Sequence, residues 1–355
     1  MAARECREER EKGYNTYDQT VDIVSCWEAF LNYSYEQVFE DYYFDRFPTL
    51  DADGDDVTPD FAVTVNDDYG LIGEVKRTFP EEETPFRRTV EQLERYAEPN
   101  ELLCAPDKTL EPDTCDILIL ISGTSAPQIG QRIQRLIDDG DVDINRNLVV
   151  IRYQYNTRDQ LSRYEFQRVV SVEDEFRDGN LRDEHALSYH MGEGADYETL
   201  SLYPKHFKEE KVKKPICNDK PPEQYLATIL WHKIFPRYLT QSDFEEWQSG
   251  SAQKTIEIQA TPADFTSELN DYMHDGKARE SWVQDALQFL KDANLAEQLT
   301  DKFEVKFRGF VRHVGESNVQ QGTAELDKLQ TLGETFIQRY CEYIASESEN
   351  VDDFS

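Results

Sequence analysis

Positive charge is in short supply here. The 38 Lys and Arg residues face 72 Asp and Glu, a formal net charge of −34 over 355 residues. A surface that negative repels nucleic acid at low ionic strength. At about 1 M salt the Debye length shrinks to roughly 3 Å, and a dispersed acidic surface then hinders DNA binding little. Such acidity, with arginine outnumbering lysine, predicts a halophilic protein whose stability rises in molar KCl. Long apolar runs are also missing. Nothing approaches the roughly 18 consecutive apolar residues of a membrane helix, and the charged stretch Met1–Lys12 contains no secretory core. These absences predict a soluble, cytoplasmic protein with no membrane partner.

Metal-binding cysteine patterns are absent too. The six cysteines include no C-x-x-C pair and the six histidines have no ligand spacing, which excludes a zinc site of the usual kind. Scattered thiols in a reducing compartment predict free cysteines, a Cys104–Cys115 bridge being the alternative. No Gly-x-x-x-x-Gly-Lys-Ser/Thr loop and no Gly-x-Ser-x-Gly elbow occurs. Gly192–Gly194 lies in a polar stretch rather than between a strand and a helix. Phosphate-loop, nucleophile-elbow and dinucleotide chemistry are therefore not expected.

What is present suffices for real cores: 38% hydrophobic residues, with aromatics at 12%. The length favours two domains. Helical spacing of Trp27, Phe30, Leu31, Val38 and Phe39 predicts a helix over Ser25–Tyr43, followed by an acidic loop at Leu50–Asp56. Strands are predicted at Phe61–Val65 and Leu71–Val75, joined by the turn Asn66–Gly70, with a polar helix over Thr84–Ala97. The continuous apolar run Asp116–Ser122 reads as a buried strand. Helix Ala126–Asp138 and a strand pair, Asn147–Tyr155 and Arg163–Ser171, complete an α/β sheet with helices on its faces. The expected organisation is a charged N-terminal segment (1–20), this α/β domain (21–171), a polar and basic connector (172–222), a mainly helical domain (223–345) and an acidic, frayed tail (346–355).

One stretch carries chemistry. Asp60 follows Pro59 and opens a strand; Glu74 and Lys76 stand two apart on the next strand and so share a face. If the strands pair as a hairpin, Asp60 reaches the same site. Two carboxylates and the backbone carbonyl of Val75 are hard oxygen donors suited to Mg²⁺, with Mn²⁺ as a substitute. The Lys76 ammonium is suited to hold or position an attacking water at a phosphate.

Pro59-Asp60 and Glu74-Val75-Lys76, with thirteen residues between the two acids, resemble the PD-(D/E)xK nuclease superfamily, whose fold is the restriction-endonuclease-like one. Gln92-Leu93-Glu94-Arg95-Tyr96 resembles the Gln-x-x-x-Tyr motif of the RecB-like exonuclease branch. The resemblance covers about Ser25–Ser171. It implies a restriction-endonuclease-like core, Asp60 and Glu74 as ligands of Mg²⁺, Lys76 as the water-positioning residue, and Gln92 and Tyr96 orienting the site or contacting the DNA backbone. It also implies a further ligand from the preceding helix, for which Glu36 is the candidate, with Glu40 behind it. Other Pro-Asp and Glu-x-Lys pairs occur, at Pro106-Asp107, Pro112-Asp113, Glu209 and Glu304, but none combines into this arrangement.

Beyond the connector, helices are predicted over Gln224–Tyr238, Pro262–Met273, Arg279–Leu295 and about Gln320–Ile344, and strands over Thr255–Gln259 and Phe303–Phe307. Strand, helix, turn, helix and strand pair form the order used by winged-helix modules. Arg279, Gln284 and Gln288 would then lie on the recognition helix, and Lys306 and Arg308 on the wing. Lys205, Lys208, Lys211, Lys213 and Lys214 form a basic patch in the connector, a second candidate for contacting DNA. Glu280, Asp285 and Asp292 on the same helix oppose phosphate attraction, which keeps a protein-binding role open for this domain.

The expected function is a Mg²⁺-dependent deoxyribonuclease, with a homodimer needed if both strands are cut. The rivals are a nuclease-fold regulator that no longer cuts and binds DNA or protein, and an acidic scaffolding protein.

Overall fold

The computed structural model describes residues 3–31, 42–66, 68–156, 163–169, 200–202, 215–248, 255–273, 277–307 and 323–352. The chain divides into two compact units, one formed by Asp22–Phe207 and the other by Met1–Val21 with Lys208–Ser355. The first helix, α1 (Ala3–Phe30), contributes to both.

The sheet unit holds strands β1 (Tyr42–Arg46), β2 (Leu50–Ala52), β3 (Asp55–Val57), β4 (Phe61–Val65) and β5 (Tyr69–Lys76). Helix α2 (Glu83–Arg95), the hairpin of β6 (Leu102–Ala105) and β7 (Lys108–Leu110), and β8 (Thr114–Ser122) follow. Helix α3 (Ala126–Asp138), β9 (Leu148–Asn156), β10 (Arg163–Arg168) and β11 (Leu200–Leu202) complete it. The main sheet is seven-stranded in the order β1-β4-β5-β8-β9-β10-β11. Pairs β5–β8 and β8–β9 are parallel and the others antiparallel. The parallel centre follows from the crossovers through α2 and α3. It is an α/β architecture with a mixed sheet flanked by helices.

Each face of the sheet is covered. Phe86, Val90 and Leu93 of α2 and Ile129, Ile133 and Leu136 of α3 bury one face with Ile72, Ile117, Ile119, Ile121 and Val150. On the other side Trp27 of α1 packs against Phe61 and Phe166, with Phe44 stacked on Phe61. Covering on both faces is why β8 is a continuous apolar run. Arg46 of β1 is buried and bonds Glu28 (2.6 Å) and Ser25 (2.9 Å) of α1.

Several sequence expectations need correction. The helix assigned to Ser25–Tyr43 in fact starts at Ala3, and Tyr42 and Tyr43 begin β1. The charged segment 1–20 is its first half: i,i+4 pairs Arg4–Glu8 and Arg7–Glu11 line its outside while Cys6, Tyr14 and Val21 are buried. Leu50–Asp56 is no loop but the hairpin β2–β3, turning on Asp53 (φ 51°) and Gly54 (φ 95°). Asp-Gly is the pair that a two-residue turn with both central φ positive prefers. Of the expected connector, the described residues Leu200–Leu202 form β11, which pairs with β10, while the Cys217 N–H donates to Tyr17 and the Tyr225 hydroxyl to the Pro215 carbonyl.

In the helical unit, α4 (Glu223–Ile229) continues through a π turn (Leu230–Ile234) and a 3₁₀ turn (Phe235–Tyr238). Then come α5 (Gln241–Gln248), β12 (Ile256–Ala260), α6 (Pro262–Tyr272), α7 (Glu280–Asp292), β13 (Ala296–Gln298), β14 (Phe303–Phe307) and α8 (Thr323–Asp352). The small sheet is antiparallel in the order β12-β14-β13. Helix α6 starts cleanly because Thr261 and Asp264 form a capping box ahead of Pro262. The core is aromatic: Trp231 meets Phe235, Phe307 and Phe336, and Phe235 meets Phe265. The acidic tail is partly helical, since α8 runs to Asp352. Free cysteines are corrected as well: Cys6 of α1 and Cys341 of α8 form a disulfide, whereas Cys104 and Cys115 remain thiols. No pattern of spacing announces a bridge 335 residues apart.

Candidate active site

Strands β4 and β5 form the hairpin that the site needs. Phe61 pairs with Gly73, so Asp60 enters the sheet opposite Glu74. Pro59 has no N–H to extend the ladder, and Asp60 takes over its edge. The Asp60 N–H donates to the Gly73 carbonyl at 3.0 Å and its carbonyl accepts from Phe47 at 2.9 Å. Its Oδ2 accepts the Val75 N–H at 2.7 Å. Strand geometry directs the N–H and carbonyl of one residue to the same flank, so the Val75 carbonyl also lies on the Asp60 side.

Glu74 and Lys76 lie on the face covered by α2, where Gln92 and Tyr96 stand one helical turn apart. Glu74 is 5% exposed. The Lys76 ammonium donates to Glu74 Oε1 at 2.5 Å and to Gln92 Oε1 at 2.9 Å. The Gln92 Nε2 donates to the Tyr96 hydroxyl at 2.7 Å, and that hydroxyl donates to Glu74 Oε2 at 2.9 Å. The ring closes: each member orients the next. Burial, then the negative charges of Glu74 and Asp60, push the Tyr96 hydroxyl far above its usual range. It therefore stays protonated and acts as a donor to the carboxylate. Asp60 also acts on Tyr153 of β9, whose hydroxyl is pushed up to about 12, mainly by burial.

The hydrogen bonds thus link Lys76, Glu74, Gln92 and Tyr96 directly, and Asp60 joins through the β5 backbone. The Glu74–Lys76 pair is not a solvated one, its side chains being 7% and 20% exposed. Sequence reasoning misses two members of the site. The Val75 N–H carries no sequence signal because any residue but proline supplies it. Gly73 is needed because a Cβ there would lie 2.1 Å from the Phe61 ring; the signal is a glycine in the interior of an apolar strand.

Of the other expected contacts, Glu36, Glu40, Lys205, Lys208, Lys211, Lys213, Lys214 and Arg308 lie outside the described residues. Arg279, Gln284, Gln288 and Lys306 belong to the helical unit. There Arg279 lies over the Trp282 ring, Gln288 donates to Asp292 and Lys306 pairs with Glu297. Among the described residues no three His, Cys, Asp or Glu side chains are grouped to hold a metal. The donor set near β5 is two carboxylates and a carbonyl. That fits Mg²⁺, which binds through one or two carboxylates and keeps several waters, and does not fit a softer ion.

Compared with known proteins, the chain matches no family model, no curated protein and no solved structure.

Proposed function

We propose that this protein is a metal-dependent nuclease that hydrolyses DNA phosphodiester bonds, built on a restriction-endonuclease-like core. The observation that carries the reading is the hydrogen-bonded ring of Glu74, Lys76, Gln92 and Tyr96, with Asp60 tied to the same strand. A buried acid, an ammonium, an amide and a phenol in one patch contribute little to stability, and such concentrations mark functional sites.

Asp60, Glu74 and the Val75 carbonyl would hold Mg²⁺, which supplies charge neutralisation at the phosphate and a more acidic bound water. Lys76 acts as a donor, as it does to Glu74 and Gln92: it orients the attacking water or a non-bridging phosphate oxygen. Glu74 and Gln92 fix the Lys76 head group with two of its three N–H bonds, leaving one for substrate. Tyr96 holds Glu74 in one rotamer, and the Val75 N–H does the same for Asp60. Pre-set positions of this sort lower the entropic part of the barrier.

For the helical unit we propose a winged-helix-like arrangement, on the order β12, α6, α7, β13, β14. The pairing of Lys306 with Glu297 and Gln288 with Asp292 supports a protein-binding use of that unit over phosphate contact.

The test is cleavage of linear and supercoiled DNA with Mg²⁺ or Mn²⁺, across molar KCl, by the wild type, Asp60→Ala and Lys76→Ala. Each substitution is expected to lower the rate by about 10³ or more, a barrier increase of several kcal/mol. Equal cutting by all three forms, or none by the wild type at any salt, overturns the proposal.

A further inference from the structure

We propose that Arg152, steadied by Gln167, grips a backbone phosphate of the same DNA strand whose bond is cut; this rests on the nuclease reading above. The registers place it. Lys76 pairs with Ile121, Ile121 with Arg152, and Arg152 with Gln167. The four residues form one cross-strand row on one face of the sheet. Inter-strand spacings of about 4.8 Å put the Cα atoms of Lys76 and Arg152 about 10 Å apart.

Along β9 the covering of that face ends at this row, while Ile121 in the same row stays fully buried. Leu148 and Val150 of β9 are buried with α3, whereas Arg152, Gln154 and Asn156, two, four and six residues beyond Val150, are only half-buried. The result is a polar shelf on β9 and β10, in the row of Lys76 and set off from it by the buried Ile121.

Charge makes Arg152 the anchor of that shelf. Its Nη2 donates to Gln167 Oε1 at 2.6 Å, a neutral partner, and among the described residues it forms no ion pair. Arg10, Arg46, Arg87, Arg132 and Arg237 each meet a carboxylate. In a chain of net charge −34, a guanidinium set against an amide keeps its charge and further N–H donors for an incoming anion. The acid on the shelf is one strand position further out: Glu165 accepts from Gln154 at 3.0 Å and from Asn156 at 3.2 Å. It limits the attractive stretch to the row of Arg152 and gives the track a direction toward Lys76.

The test measures binding of a labelled single-stranded oligodeoxynucleotide by full-length protein in a Lys76→Ala background, where turnover is suppressed. Adding Arg152→Ala is expected to weaken binding about tenfold and to lower the slope of log Kd against log salt by about 0.7, one phosphate contact. Arg152→Lys should keep that slope. A neutral methylphosphonate within two nucleotides of the cut position should weaken binding in the Lys76→Ala background but not when Arg152 is also alanine. Unchanged slope and unchanged methylphosphonate response in the alanine variant overturn the assignment while leaving the nuclease reading intact. If Arg152→Ala melts early, the lysine and methylphosphonate arms still decide. A wild type that neither binds nor cuts refutes the nuclease reading, and this assignment with it.

Discussion

In the sheet unit a carboxylate at 5% exposure, an ammonium, an amide and a phenol share one patch of β5 and α2. The helical unit fills its interior with Trp231, Phe235, Phe265, Phe307 and Phe336 and keeps pairs such as Arg237–Glu268 and Lys220–Asp285 outside. Aromatic burial stabilises strongly at no desolvation cost of charge. An interior ion pair returns little stability, since removing two charges from water offsets their attraction. On the proposed function, the contrast separates what holds this protein together from what would let it act.

The sharpest way to break that contrast is the double substitution Glu74→Gln with Lys76→Met. Cleavage should fall by about 10³ or more, while the melting temperature stays level or rises, because exchanging a buried pair for neutral groups is often neutral or stabilising. A large drop in thermal stability would make the pair structural after all. Next in size is Phe235→Ala in the helical unit, expected to cost about 3–5 kcal/mol in urea or thermal unfolding. A cost near zero would remove the aromatic core from its assigned role.

Asp18 sharpens the comparison because it is a half-buried acid in the aromatic unit. Burial pushes its carboxyl from the ordinary 3.8 up to about 6. The folded state then holds this proton more tightly than the unfolded chain does. Its contribution is present at low pH and is lost as pH rises from about 4 to about 6, a change of up to about 3 kcal/mol. Asp18→Asn should remove that slope from the stability profile measured between pH 3.5 and 7. Identical profiles for the two proteins would count against a strained acid here.

Much of the sheet unit could be read in advance because its signals are local. Asp116–Ser122 is apolar without interruption, Ala126–Asp138 has helical spacing, and Glu74 and Lys76 differ by two residues on a strand. What escaped depends on partners far along the chain or on weak pattern. The amphipathic start of α1 was hidden by its charge, though Arg4–Glu8 and Arg7–Glu11 are the pairs an exposed helix face favours. Strands β6, β7 and β13, at four, three and three residues, are too short to show a period. Asp60 could be placed near the site from hairpin logic, but its bond to the Val75 N–H depends on register alone.

The Cys6–Cys341 bridge spans 335 positions, so nearly the whole polypeptide lies inside one covalent ring. A single protease nick anywhere within that ring therefore cannot release a fragment. The cut chain migrates as one species on a denaturing gel until thiol reductant is added, and only then do its two pieces part.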